Sequence, residues 1–226
     1  MTLTFAVIPT HNRHVMLTEL VKSLAGTVDY LVIVDNASDP PILAHEMKDA
    51  SGVETFVLHT PMQPPQLYLF WNMAFDVAQK VATENHGVSE WNVAVLNDDT
   101  QLPASWATAI GAELRQSPAA IACGSMNHGN KQHSLKTGSD VSLGSRMTPH
   151  AFIMKGESGL RADERFQWWW GDTDLDLQAR NAGGVLIVPG YVAVNKCANS
   201  TTVGKLAEQA GRDGETFAAI WGRRFW

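Results

Sequence analysis

The chain has 226 residues, of which 17 are basic and 23 acidic, a formal charge of −6 that argues against a general nucleic-acid binder. Its 45% hydrophobic content can supply a real core, and 18% charged is too lean for a disordered chain. No window nears the roughly 18 apolar residues of a membrane span, and two distant cysteines, Cys123 and Cys197, imply neither a disulfide scaffold nor a Cys-based zinc site. At about 150 residues per domain, the length predicts one large domain over 1–226. The first five residues lack a basic segment and a long apolar core, so they predict a strand rather than a signal peptide, as a cytoplasmic protein would have.

Two periods alternate through the first half. An apolar strand over 5–8 stops at Pro9, and Leu17, Leu20, Val21 and Leu24 then mark one helical face. A strand over 30–34 ends in a turn-rich stretch, 35–41, followed by a helix over 42–50 with Gly52 near its stop. A strand over 53–59 leads to a helical stripe of Phe70, Ala74, Val77, Ala78 and Val81, then to a strand over 93–96. A further helix starts near Pro103 and runs towards Arg115. Such alternation predicts an α/β fold, a mostly parallel central sheet with helices on both faces.

The second half is less regular. A strand is expected over 119–123, and 124–146 has no apolar period, so it reads as a long surface loop. Strands over 151–154, 185–188 and 191–194 and a helix over 173–182 follow. The tail, 202–226, carries one amphipathic helix marked by Leu206, Ala210, Phe217, Ile220 and Trp221.

In an open parallel sheet the ligand sits beyond the carboxyl ends of the strands. Three polar clusters fall at such ends: 9–13 (Pro-Thr-His-Asn-Arg), 35–38 (Asp-Asn-Ala-Ser) and 97–100 (Asn-Asp-Asp-Thr). None contains GxGxxG or GxxxxGK[ST], and the HxE…PCxxC pattern of zinc deaminases is missing. The carboxylates of Asn97-Asp98-Asp99 suit Mg²⁺ or Mn²⁺ on a tight turn. The same residues also suit a helix cap and an Asx turn, and the tripeptide alone leaves both open. A second acidic run, 172–176 (Asp-Thr-Asp-Leu-Asp), follows three tryptophans. Asp172 can serve as an N-cap and Asp176 can pair with Arg180 at i+4. Asp174 has no such ready partner; beside aromatic walls its carboxyl would hold its proton more tightly and could accept one from a hydroxyl.

VIPTHNR, VDNAS, VLNDDTQLPASW and PHAFIMKGESGL…DERFQWWWGDTDLDLQARNAGG, in this order and spacing, resemble family 2 glycosyltransferases of the GT-A fold across roughly residues 4–200. The resemblance implies inverting transfer of a sugar from a nucleotide-diphosphate donor, UDP-linked by preference, aided by Mn²⁺ or Mg²⁺. It implies that Pro9, Thr10 and Asn12, with Arg13 beside them, lie along the donor, that Asp35 contacts its base, and that Asn72 is near its diphosphate. Asp99 matches the main metal ligand, with Asn97 supporting it and Asp98 on the donor side. Asp174 matches the general base, and Trp169, Trp170 and Asp172 would border the acceptor. The sequence departs from the family at Thr173, where Glu is usual, at Trp71, where many relatives have Arg, and at Asn195, where a metal-binding His is common.

The acceptor is a hydroxyl, on a glycan or on a hydroxymethylated base in DNA. Basic side chains at His128, Lys131, His133, Lys136, Arg146, Arg161 and Arg165 accompany the tryptophans, whose faces stack on either. Two other readings remain at this stage: a glycosyltransferase-like fold that only binds nucleotide or glycan, and a sugar-nucleotide nucleotidylyltransferase, for which VIPTHNR lacks the Gly-rich basic loop.

Overall fold

The computed structural model describes residues 2–125, 131–139, 146–197 and 204–222. Strands β1 (Leu3–Thr10), β2 (Tyr30–Asp35), β3 (Glu54–His59) and β4 (Trp91–Leu96) alternate with helices α1 (His14–Ser23), α2 (Ala44–Ser51) and α3 (Leu67–Lys80). A short strand β5 (Thr100–Gln101) leads into α4 (Trp106–Arg115), then β6 (Ile121–Gly124), β7 (His133–Leu135) and β8 (Ala151–Lys155). Helix α5 (Gly171–Asn181), β9 (Val185–Val188), β10 (Val194–Asn195) and α6 (Lys205–Trp221) complete the order. Among the described residues no helix is long and apolar enough to cross a membrane.

Among the described residues, eight strands form one sheet in the order β3-β2-β1-β4-β8-β6-β9-β7, and β10 pairs with β5 apart from it. β1 lies between β2 and β4, parallel to both, so the ends of these three strands meet on one edge. The strands read as unbroken apolar runs because both faces are covered. Phe5 and Val7 point to the layer of α3, where Trp71, Ala74 and Phe75 are buried. Ala6 and Ile8 point the other way, to Leu17, Leu20 and Val21 of α1 and to Trp106 and Ile110 of α4. Gly52 closes α2 at φ 73°, in the left-handed region that suits glycine.

The central sheet is mostly parallel, as expected, with β8 inserted antiparallel between β4 and β6, which a period-based reading cannot see. Two expectations need correction. Within the expected loop 124–146, β7 pairs antiparallel with β9 as an edge strand, with Leu135 its single buried apolar side chain and so no period to detect. The strand expected over 191–194 shrinks to Val194–Asn195, which pairs with Thr100–Gln101 rather than joining the large sheet. His128 lies outside the described residues.

Candidate active site

The topology brings the three polar clusters together. Thr10 pairs with Asp35 at the last rung of β1 and β2, and β4 on the other side of β1 runs directly into 97–99. They border a cleft of about 440 Å³, within the size range of small-ligand sites. Pro9, Thr10 and Arg13 line it from the first cluster, Asn36 from the second, and Asn97, Asp98 and Asp99 from the third. Trp168, Asn195 and Leu206 arrive from the second half of the chain.

The turn at 97–99 is tied from several sides. The Thr100 N–H donates to the Asn97 carbonyl at 3.1 Å, and the Lys196 N–H donates to the Asp99 carbonyl at 2.9 Å. Beneath them, the buried His150 accepts at its own carbonyl from the Asn97 N–H and the Thr100 hydroxyl, and its Nε2 donates to the Ala193 carbonyl at 3.1 Å. Burial pushes the His150 pKa down, partly offset by that carbonyl and the charge of Asp99, so it favours a neutral ring.

Two carboxylates emerge from this turn almost out of solvent. Asp98 accepts from the Thr10 hydroxyl at 2.8 Å and from Arg13 at 2.9 Å, and the same guanidinium nitrogen reaches Asp99 at 3.0 Å. Burial pushes the Asp98 pKa up, against the pull of Arg13 and Thr10. Burial also works against the charge on Arg13, but the two carboxylates outweigh it and hold that charge more firmly. The second oxygen of Asp99, Oδ1, is buried and meets no donor among the described residues. An orphaned buried carboxylate oxygen in a cleft is what a divalent cation would fill. Asn97 and Asn195 on the same wall offer amide oxygens, and no group of three His, Cys, Asp or Glu side chains clusters among the described residues. The donor set therefore fits a hard cation that would keep positions open for phosphate or water, and Asp99 offers the unpaired oxygen.

Other candidates make bonds that join one loop or element to another. Asp35 is fully buried, and its carboxylate accepts from the Ser38 and Ile42 N–H groups, each at 3.0 Å, and from His59 at 3.2 Å. Burial raises its pKa, but those bonds outweigh it and the net shift is down. It shapes the β2–α2 loop, and its neighbour Asn36 faces the cleft instead. Asn12 takes φ 54°, a left-handed conformation Asn tolerates. Its side-chain oxygen accepts from the Asp39 N–H and its backbone N–H donates to the Ser38 hydroxyl oxygen, joining two loops. The Nδ1 of His11 donates to the Asn36 carbonyl at 2.7 Å. Asn72 spends its amide clamping Ala162 and Glu164 onto α3, away from the cleft wall. Trp71 is a core residue, edge-on to Phe152.

The tryptophan run divides its labour. Trp168 lines the cleft, whereas Trp170 packs against Phe217 of α6 and under Arg146. The indole nitrogen of Trp169 is buried and meets no acceptor among the described residues. Asp213 of α6, 1% exposed, accepts from the backbone N–H groups of Gln167, Trp168 and Trp169 at 3.2, 2.9 and 2.8 Å. Sequence reasoning missed Asp213, though a signal existed: it sits on the 206–210–217 apolar stripe of the tail helix, where an acid has no place without partners.

Helix α5 then separates its acids. Asp174 is 2% exposed, with one oxygen accepting from the Trp221 indole at 2.8 Å and the other from Gln178 at 2.7 Å. Burial pushes its pKa up against those two bonds. Neither it nor Asp172 lines the cleft, and its bond to Trp221 anchors α6. Asp172, in the first turn, is only partly buried. Burial pushes its pKa up as well, against Arg146 and bonds from the Thr173 N–H and the Tyr68 hydroxyl. Gly171 before it is required by packing, since a Cβ there would lie 2.5 Å from the Tyr68 ring. Thr173 takes a bond from Arg146, and Asp176 pairs with Arg180 at 2.8 Å in the interior.

No protein-family model and no curated protein sequence matches the chain. Solved structures do. The S. aureus TarS crystal structure matches at TM-score 0.62 and 13% identity, over 84% of this chain and 36% of that one. TarS 1–349 in complex with UDP matches at 0.59 and 14%, over 87% and 59%. Glucosyl-3-phosphoglycerate synthase from Mycobacterium tuberculosis, in complex with Mn²⁺, UDP and glucosyl-3-phosphoglycerate, matches at 0.58 and 14%, over 98% and 80%. The fold is that of GT-A glycosyltransferases. The chain spans little more than a third of the first TarS structure and 59% of the shorter one.

Proposed function

We propose that this chain is a glycosyltransferase that moves a sugar from a nucleotide-diphosphate donor, UDP-linked by preference, to an acceptor hydroxyl with inversion at the anomeric carbon. One observation carries the reading: a buried Asp pair, a cation and an orphaned carboxylate oxygen meet in a cleft at the carboxyl edge of a GT-A sheet. Fold neighbours solved with UDP, in one case with Mn²⁺, support it.

Asp99, with Asn97, would hold Mn²⁺ or Mg²⁺. Such an ion supplies positive charge against the leaving diphosphate. Arg13 adds a second cation on the same wall, and Pro9, Thr10 and Asn36 form the donor's bed. Trp168 offers a flat face to a sugar ring. For the base we favour Asp172 over Asp174. Asp172 is the more exposed of the two, stands in the first turn of α5, and has a pKa raised by burial, so it can take a hydroxyl proton. Asp174 has both oxygens committed. Deprotonation by Asp172 turns the acceptor oxygen into a nucleophile that attacks the anomeric carbon opposite the departing diphosphate, inverting it. Residues 1–226 are read as one catalytic unit. The acceptor is assigned to a glycan hydroxyl, and hydroxymethylated-pyrimidine DNA is the second arm of the assay.

Thermal unfolding with UDP, GDP and dTDP, each with and without Mn²⁺, tests the donor site. A ligand at about 100 times its Kd adds about 2.7 kcal/mol, a rise of about 5–10 °C for a chain of this size. One nucleotide should give it in the presence of Mn²⁺, and no shift with any would overturn the proposal. Binding without added hexose mass on either acceptor would instead leave a nucleotide-binding protein without transfer.

A further inference from the structure

The Asp98–Asp99 pair already holds a cation of the chain's own. One nitrogen of Arg13 touches both carboxylates, at 2.9 and 3.0 Å, on the wall where a divalent ion would bind. Asp98 is committed twice, since the Thr10 hydroxyl takes its other oxygen. Asp99 is committed once, and its Oδ1 meets no donor among the described residues. An incoming metal ion thus meets a pair whose charge is largely answered, and binding it through both carboxylates requires Arg13 to leave. The guanidinium, 32% exposed beside two buried carboxylates, gives up two charge-assisted hydrogen bonds to do so. It recovers them only when another anion is offered, and a diphosphate, with oxygens in the fork geometry guanidinium prefers, is such an anion.

We infer that Arg13 is a positioning residue that holds the acidic pair against divalent metal until a nucleoside diphosphate arrives. In this account metal and diphosphate bind together because each relieves the cost of the other: the metal frees Arg13, and the phosphate receives it. The coupling is reciprocal, so UDP raises Mn²⁺ affinity by the same factor as Mn²⁺ raises UDP affinity. Uridine, without phosphates to accept Arg13, raises neither. The inference rests on reading the cleft as a nucleoside-diphosphate site, but its first test needs no nucleotide.

Free Mn²⁺ measured by electron paramagnetic resonance, titrated into the full chain without nucleotide, reads the competition directly. Arg13→Gln should bind Mn²⁺ more tightly than the unaltered chain by about 5–150-fold, the usual span of a coupling of this kind. Arg13→Lys, which keeps a cation there, should stay close to the unaltered chain and checks that the gain follows from lost charge rather than from a disturbed loop. With UDP present, both proteins should tighten for Mn²⁺, since the ion and the diphosphate attract each other directly, and the unaltered chain should gain more than Arg13→Gln, because only there is Arg13 released. If Arg13→Gln binds Mn²⁺ no tighter than the unaltered chain, the inference is wrong, whatever UDP does. If UDP binds none of these proteins while Arg13→Gln still gains metal affinity, the donor assignment fails and the competition stands. Should Arg13→Gln fail to fold, Arg13→Lys and the UDP dependence of Mn²⁺ binding in the unaltered chain decide: absence of coupling there overturns the inference.

Discussion

Replacing Asp213 by Ala is the perturbation whose cost can be worked most directly from the structure. Its carboxylate receives three consecutive backbone N–H groups, from Gln167, Trp168 and Trp169, and the Gln209 amide at 2.7 Å. Removing it leaves buried donors without an acceptor, each worth about 1–3 kcal/mol. Water entering the space and relief of a buried charge return part of that, so the net loss should be about 3–5 kcal/mol, at the upper end of single substitutions. At about 2–4 °C per kcal/mol for this length, the melting temperature should fall by roughly 6–20 °C. Circular dichroism melts give the shift, and the near-ultraviolet signal reports whether the tryptophan run loses its fixed setting. Asp213→Asn, which keeps one acceptor oxygen, should fall between the two. A melting temperature within about 1 °C of the unaltered chain would refute the idea that α6 holds the 167–169 segment through this carboxylate.

Other outcomes follow from the same geometry. Asp172→Asn should cut sugar transfer by about 10²–10⁴-fold while sparing nucleotide affinity, whereas Asp174→Asn should chiefly lower the melting temperature; the reverse pattern would return the base to Asp174. Because burial depresses the His150 pKa below its unfolded value near 6.5, the unfolded chain binds the extra proton first. Stability from this group is therefore full above about pH 6.5 and lost as pH falls below it. His150→Gln should flatten the slope of stability just below about pH 6.5, and an unchanged slope in urea titrations would count against it. Gly171→Ala should cost about 1–3 kcal/mol by driving a methyl into the Tyr68 ring, read from the urea midpoint.

Much of the fold was legible because the first half obeys local rules. Phe5 to Ile8 is apolar on both sides, Leu17, Leu20 and Val21 repeat as a helix does, and such alternation admits few topologies. Convergence of 9–13, 35–38 and 97–99 followed from one parallel rule about strand ends. What stayed hidden depends on contacts distant in sequence. Nothing near Asp35 announces that the Ser38 and Ile42 N–H groups and His59 will enclose it. Nothing near Asp174 announces Trp221, 47 residues on. The resemblance pointed to α5, but nothing in the sequence says that both oxygens of Asp174 are taken by Trp221 and Gln178. β7 escaped because one buried Leu in three residues has no period, and the antiparallel insertion of β8 because strand direction leaves no trace in composition.

The central claim is that the acidic turn after β4 holds a donor diphosphate, and calorimetric titration of UDP with Mn²⁺ tests it most directly. The unaltered chain should bind one equivalent, and Asp99→Asn, which removes charge from the orphaned carboxylate without changing its size, should lose at least about tenfold in affinity, about 1.4 kcal/mol. Equal affinity in the two proteins would mean that the nucleotide, wherever it binds, does not use this turn.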